Sequence, residues 1–181
     1  MKLLFSITLL QLCVISFGQQ PGTAVIDFDS LMKARTSQIS GKPFPAFTAV
    51  NEHSTINNDS LKGKVVLINF WFEGCHPCLA EFGALNELAE KLKGNKDFEF
   101  ISFTWDNQET IDRVKEKYNL QFKIFYSKEC SRLNLNSGYP TTFILDKKGN
   151  IKYWNMGGTT DTDKAREHVM ATLLPKLQQE F

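Results

Sequence analysis

Cys75 and Cys78 stand three residues apart in GKVVLINFWFEGCHPCLAEFGAL, after a strongly apolar run and before an amphipathic one. The apolar run reads as a buried strand and the following segment as a helix, which puts the pair at a helix N-terminus. Unpaired backbone N–H groups and the positive end of the helix dipole stabilise a thiolate there and lower a cysteine's pKa. Cys75, the outer cysteine, is the expected nucleophile. Its thiolate attacks a substrate disulfide to give a mixed disulfide, and Cys78 resolves it by attacking Cys75; the reverse sequence oxidises a dithiol. A structural zinc site needs four ligands, and beyond this pair the chain offers Cys130 and three scattered histidines. Covalent haem attachment needs a histidine directly after the second cysteine, where Leu79 stands. No metal or separate cofactor is expected: the reactive group is the Cys75–Cys78 pair.

Such a pair needs a rigid frame, and the chain alternates strand and helix patterns around it. Extended chain is expected through GKPFPAF at 41–47, because Pro43 and Pro45 forbid a helix. A short hairpin follows at about 47–57. Strands are expected at 65–72, 98–105, 123–126, 141–146 and 151–156, and helices near 29–38, 78–93, 108–118, 129–135 and 161–174. The turn KKGN at 147–150 makes the last two strands an antiparallel pair. Alternation followed by a terminal hairpin and helix predicts an α/β fold, a three-layer α/β/α sandwich around a central mixed sheet. A hydrophobic content of 42% supplies the core this needs and excludes wholesale disorder. The chain divides into an amino-terminal segment at 1–18, an extension at 19–40 and the globular domain at 41–181.

The first segment, MKLLFSITLLQLCVISFG, carries one charge at Lys2, an apolar run to Phe17 and small residues at Ser16 and Gly18. This is the layout of a secretory signal peptide cut ahead of Gln19, in an exported, periplasmic protein; an uncleaved segment would tether it to the membrane instead. Acylation of Cys13 is disfavoured by the bulk of Leu12. Cys75, Cys78 and Cys130 then remain, an odd number in an oxidising compartment, which points to function more than to a disulfide scaffold. Lys and Arg total 21 against 20 Asp and Glu, so nothing draws the chain to nucleic acid or to an anionic surface.

Residues 41–175 resemble the thioredoxin superfamily and, within it, the exported TlpA/ResA-like thiol-disulfide oxidoreductases. The likeness rests on GKPFPAF, LKGKVVLINFWFEGCHPCLAEF and GYPTTFILDKKGNI, in that order. It implies a thioredoxin-like fold, reduction of protein disulfides, disulfide- or dithiol-containing exported proteins as partners, an apocytochrome c haem-binding motif among them, and a membrane electron donor. By the same likeness Trp71 packs beneath the cysteines and Glu81 matches the acidic residue of the first helix. Pro140 matches the cis-proline facing the CxxC, with Tyr139 and Thr141 beside it as substrate-binding positions.

Departures from the family pattern bear on redox tuning. Asn69, six residues before Cys75, replaces the buried acid that relays the resolving proton in thioredoxins and cannot titrate. Glu73 is a candidate relay by proximity. Gly83 stands where a helix-kinking proline is usual and cannot enforce a bend. His76 as imidazolium would favour the Cys75 thiolate and make the disulfide more oxidising, or else is an exposed spacer, and Pro77 suits a first helical turn. Cys130 reads as a buried apolar thiol, with a second redox partner or an intermolecular link as its alternatives. Trp105, Trp154 and the many phenylalanines read as core, although any next to the CxxC could form an apolar docking face, and His53 and His168 read as surface. Two rival functions stay open: a thiol peroxidase, although FEGC lacks that class's Pro and Thr, and a non-catalytic binding or chaperone module.

Overall fold

A computed structural model describes residues 27–181. The expected leader, its cut and Cys13 lie outside the described residues. The elements run α1 (Phe28–Ile39), β1 (Thr48–Val50), β2 (Thr55–Asn57), β3 (Val65–Phe70), α2 (His76–Leu92), β4 (Phe98–Thr104), α3 (Gln108–Tyr118) and β5 (Lys123–Tyr126). They continue with α4 (Cys130–Leu133), β6 (Thr141–Leu145), β7 (Ile151–Met156), α5 (Thr162–His168) and α6 (Leu174–Gln178). Five strands form one sheet in the order β5-β4-β3-β6-β7; β3, β4 and β5 are parallel and β6 and β7 antiparallel to their neighbours. This is the mixed sheet that the sequence pattern predicts.

Strand β3 lies at its centre with all six residues buried. Alternation sends Val65, Leu67 and Trp71 to one face and Val66, Ile68 and Phe70 to the other. The first face packs against α2, α3 and the last helix through Phe82, Leu85, Ile111, Val114 and Leu173. The second is covered by an aromatic layer. Phe70 stacks on Phe103 at 5.3 Å, Phe47 meets Phe103 edge-on at 5.3 Å, and Phe44 meets Phe143 edge-on at 5.3 Å. Extended chain at 41–47 thus delivers two rings to that face, and Pro43 bridges to Asn150. Ile39 of α1 is buried in the same layer. The β6–β7 turn closes on Asp146, whose Oδ1 accepts from the N–H groups of Lys148 and Asn150, both at 2.9 Å, with Gly149 at a positive φ of 84°.

The last helix differs from its expected span. It extends to Gln178, with a π-helical turn over Val169–Leu173 between α5 and α6. Pro175 is the physical reason: it has no N–H for the carbonyl one turn back, and a widened turn accommodates the missing bond.

Helix α2 buries Cys78, Phe82, Leu85, Leu88 and Leu92, a single face at helical spacing. It runs unbroken through Gly83, which is exposed and has nothing within 4 Å of where a Cβ would stand. Gly83→Ala should therefore stabilise the protein by about 0.5–1 kcal/mol, because alanine loses less backbone entropy on entering a helix. A rise in the urea midpoint at unchanged m-value is the expected reading.

Candidate active site

The register of β3 brings three loops to one edge of the sheet. Phe70 pairs with Phe103 of parallel β4 and with Thr141 of antiparallel β6. The chain after β3, the chain after β4 and the chain before β6 therefore meet outside the carboxyl ends of the parallel strands, where open α/β sheets bind their ligands. These loops carry Phe72–Cys75, Trp105–Asp106 and Tyr139–Pro140 respectively.

Cys75 is the N-cap of α2, with Pro77 in the first helical turn. It forms a disulfide with Cys78 across a Cα separation of 5.2 Å. The Cys75 Sγ accepts a hydrogen bond from the Cys78 N–H at 3.3 Å, so a helix-end donor already points at the sulfur expected to carry charge after reduction. Cys75 is 5% exposed and Cys78 fully buried, the ranking expected of attacking and resolving thiols. Trp71 lies in the same apolar cluster, its ring edge-on to Phe82 at 5.4 Å and its Nε1 donating to Ser102 Oγ at 3.2 Å. His76 is exposed. The Tyr139–Pro140 peptide is cis. Gly158 stands over both this loop and the CxxC turn, since a Cβ on it would lie 3.1 Å from Pro140 Cγ and 3.5 Å from Pro77 Cβ.

Thr141 was expected at the substrate surface. It is fully buried in β6 and its hydroxyl donates to the Gly138 carbonyl, so it holds the proline loop from within. Among the described residues neither the N–H nor the C=O of Tyr139 pairs with another backbone group, which leaves both for an incoming chain.

The two acids behave differently. Glu73 is exposed and its carboxylate is ion-paired with Arg113 of α3 at 2.8 Å. Glu81, three residues after Cys78 on the same helical face, is buried. Asn69, at an odd position of β3, faces it: Nδ2 donates to Glu81 Oε1 at 2.8 Å and to Thr142 Oγ1 at 3.1 Å. Burial raises the Glu81 pKa from 4.5 to about 8, outweighing the lowering by Asn69. The carboxyl is thus protonated at neutral pH in the oxidised protein. An amide can serve either state of its neighbour, Nδ2 for a carboxylate and Oδ1 for a protonated carboxyl, and the Asn69 Oδ1 is buried without a partner.

Four residues that pattern reading set aside belong to this region. Trp105, expected in the core, is 41% exposed and stacks on Phe72 at 4.8 Å. Thr142 completes the Asn69 network. Gly158 closes over Pro140. His168, expected on the surface, is half-buried and lines, with Glu81, Asn155 and the turn 157–159, a cavity of about 230 Å³. Burial lowers its pKa. Their signal is topological: each lies at the carboxyl edge of the sheet or beside the N-terminus of α2. Among the described residues no group of three or more His, Cys, Asp or Glu side chains is arranged to hold a metal.

A family model described as Redoxin matches residues 39–174. The chain belongs to the Redoxin family. It is 35% identical over 124 residues to the thiol:disulfide interchange protein DsbE of Pseudomonas fluorescens biotype C, 64% of this chain and 66% of that protein. The thioredoxin-like protein YneN of Bacillus subtilis is 32% identical over 126 residues, 66% of this chain and 73% of the relative. For the thiol-disulfide oxidoreductase ResA of Bacillus cereus the identity is 34% over 115 residues, 61% and 66% of the two chains. The match spans just under two thirds of the length of DsbE and ResA. A thiol:disulfide interchange protein of Chlorobium tepidum TLS superposes with a TM-score of 0.62 at 19% identity, over 77% of this chain and 96% of that one. A thiol-disulfide oxidoreductase of Bacteroides fragilis gives 0.58 at 24%, over 70% and 98%. These likenesses show a thioredoxin-like fold, which the resemblance in the sequence implies.

Two outcomes follow from the burial of Glu81 and Cys130. A carboxyl whose pKa is raised on folding favours the folded state fully below 4.5 and ceases to do so as pH rises through about 8. The urea midpoint of the oxidised protein should fall over that window relative to Glu81→Gln, and a constant difference between the two would rule out the raised pKa. Cys130 is buried and its pKa is pushed up to about 12 by burial. Iodoacetamide at pH about 8 should label the reduced native protein at Cys75 and reach Cys130 only after denaturation, as read by peptide mass mapping.

Proposed function

We propose that this chain is an exported thiol-disulfide oxidoreductase that reduces protein disulfides, with the Cys75–Cys78 pair as its sole redox group. The observation that carries the reading is the Cys75 sulfur at the start of α2, with a helix-end N–H donating to it and the Tyr139–Pro140 loop beside it. Reduced Cys75 attacks one sulfur of a substrate disulfide; a new S–S bond forms, the old one breaks and the second substrate sulfur leaves as a thiolate. Cys78 then attacks Cys75, closing the disulfide and releasing the substrate as a dithiol, so two electrons move from the protein to the substrate. Glu81, protonated at neutral pH in the oxidised state, is suited to protonate Cys78 as the disulfide opens and to take the proton back as Cys78 resolves.

Tyr139 offers its N–H and C=O to the substrate chain, and His76 and Pro77 tune the potential from the turn between the cysteines. The names of DsbE and ResA support the reaction class. The apolar amino-terminal segment supports a periplasmic place, soluble once cut or membrane-tethered if retained. There a membrane electron donor re-reduces the pair and the substrates are exported proteins, in cytochrome c maturation or general envelope redox homeostasis.

Trapping tests the assignment. Cys78→Ser should accumulate mixed disulfides through Cys75 that dithiothreitol releases, and Cys75→Ser should accumulate none. Equal trapping by both variants would reverse the roles, and no trapping by either would remove the activity.

A further inference from the structure

Three aromatic rings stand beside the exchange site without a part in the exchange. Phe72 accepts the Cys75 N–H at its carbonyl, at 3.0 Å, and so lies one turn from the nucleophile. Tyr139 immediately precedes Pro140, and Trp105 follows β4. Their rings form one wall: Trp105 stacks on Phe72 at 4.8 Å, and Tyr139 meets Trp105 at 4.7 Å and Phe72 at 5.4 Å, edge-on to both. Gly74 makes room for it, since a Cβ there would lie 3.2 Å from the Phe72 ring. A tryptophan at the edge of an exchange site, 41% exposed beside a nearly closed nucleophile, leaves apolar area uncovered where a partner has to come.

Charge surrounds this wall unevenly. Arg113 stands at its rim; Glu73 bonds to it, and Glu109 and Asp106 both lie near enough to act on it. Asp106 is itself fixed there by the Glu73 N–H at 2.7 Å and the Thr104 hydroxyl at 3.1 Å. Around Arg113, three carboxylates thus stand against one guanidinium.

We propose that Phe72, Trp105 and Tyr139 form a docking surface for the part of a substrate protein next to the attacked cysteine, selecting a large apolar or aromatic side chain there with a Lys or Arg beyond it. The inference rests on the thiol-exchange reading and extends it to the substrate's sequence. The occupant follows from continuity with the exchange site. A sulfur reaching Cys75 must bring its chain along the Tyr139–Pro140 loop, where the unpaired N–H and C=O of Tyr139 accept an extended strand. In such a strand the rise is about 3.3 Å per residue, so a side chain within two positions of the cysteine meets the ring wall. The carboxylates around Arg113 then favour a cation further along.

The test uses single-cysteine peptides as mixed disulfides with glutathione, mixed with the reduced protein and followed in the first turnover. One peptide carries Phe beside the cysteine and Lys beyond, a second replaces Phe with Ser, and a third replaces Lys with Glu. The Phe peptide should react about 5-fold faster than the Ser peptide, the size of an aromatic contact. The Lys peptide should outrun the Glu peptide by a factor that shrinks with salt. In Trp105→Ala the Phe/Ser ratio should fall to within about 2-fold, and Trp105→Phe should restore most of it. An unchanged Cys75/Cys78 reduction potential in both variants assigns the loss to docking and not to the thiols. A Phe/Ser ratio near one in the wild type, or one unaltered in Trp105→Ala, overturns the docking surface while leaving thiol exchange in place. A wild type that reacts with none of the peptides removes the exchange reading and this one together.

Discussion

The central strand β3 is hydrogen-bonded along both edges and buried on both faces, and the chemistry hangs from its carboxyl end. Its period of two assigns Trp71 and Asn69 to the side of α2 and Phe70 to the aromatic layer. A slip of one residue would exchange those faces, turn Asn69 away from Glu81 and bury Trp71 against the phenylalanines. The layer of Phe44, Phe47, Phe70, Phe103 and Phe143 prevents that slip, because its edge-on and stacked contacts leave no room for another set of side chains. The position of the disulfide is thus a consequence of packing on the opposite face of the sheet.

Burying a carboxyl behind a disulfide carries an electrostatic cost that the protein meets by holding a proton at neutral pH. Asn69 is the partner that makes this tolerable, since an amide can donate to a carboxylate or accept from its acid. Asn69 itself cannot titrate, and the buried titratable group of this region is the helix carboxyl it bonds, Glu81. The cavity shared with His168 and the 157–159 turn lies on the same side of the sheet, so Glu81 is closed to bulk solvent but has open space beside it.

The surface around the nucleophile is asymmetric. Toward α5 it is closed by Gly158, which packs so near Pro140 and Pro77 that a Cβ on it would lie 3.1 Å from the Pro140 ring. Toward α3 it opens onto the rings of Phe72, Trp105 and Tyr139 and the carboxylates around Arg113. Cys75 is thus nearly buried, with closed packing on one side and an aromatic surface on the other.

Much of this was legible along the chain. The cysteines, the apolar strand before them and the amphipathic helix after them are local features, and local periodicity placed every strand of the sheet to within two residues. Pro140 and Glu81 were reached through likeness to a family and not from spacing. Other assignments misread their surroundings. Glu73 is adjacent to the cysteines in sequence, but its carboxylate belongs to Arg113, 40 residues away. Thr141 was expected at a surface and lies in the middle of a sheet. Trp105 was read as core along with the other aromatics, and at a strand's end alternation no longer says which way a side chain faces. The sequence by itself determined the reactive pair, the type of each element and the apolar faces, because these depend on residues a few positions apart. Only the tertiary structure decided which carboxyl stands behind the disulfide and which rings flank it. Burial and charge pairing depend on residues that strand register brings together from distant parts of the chain.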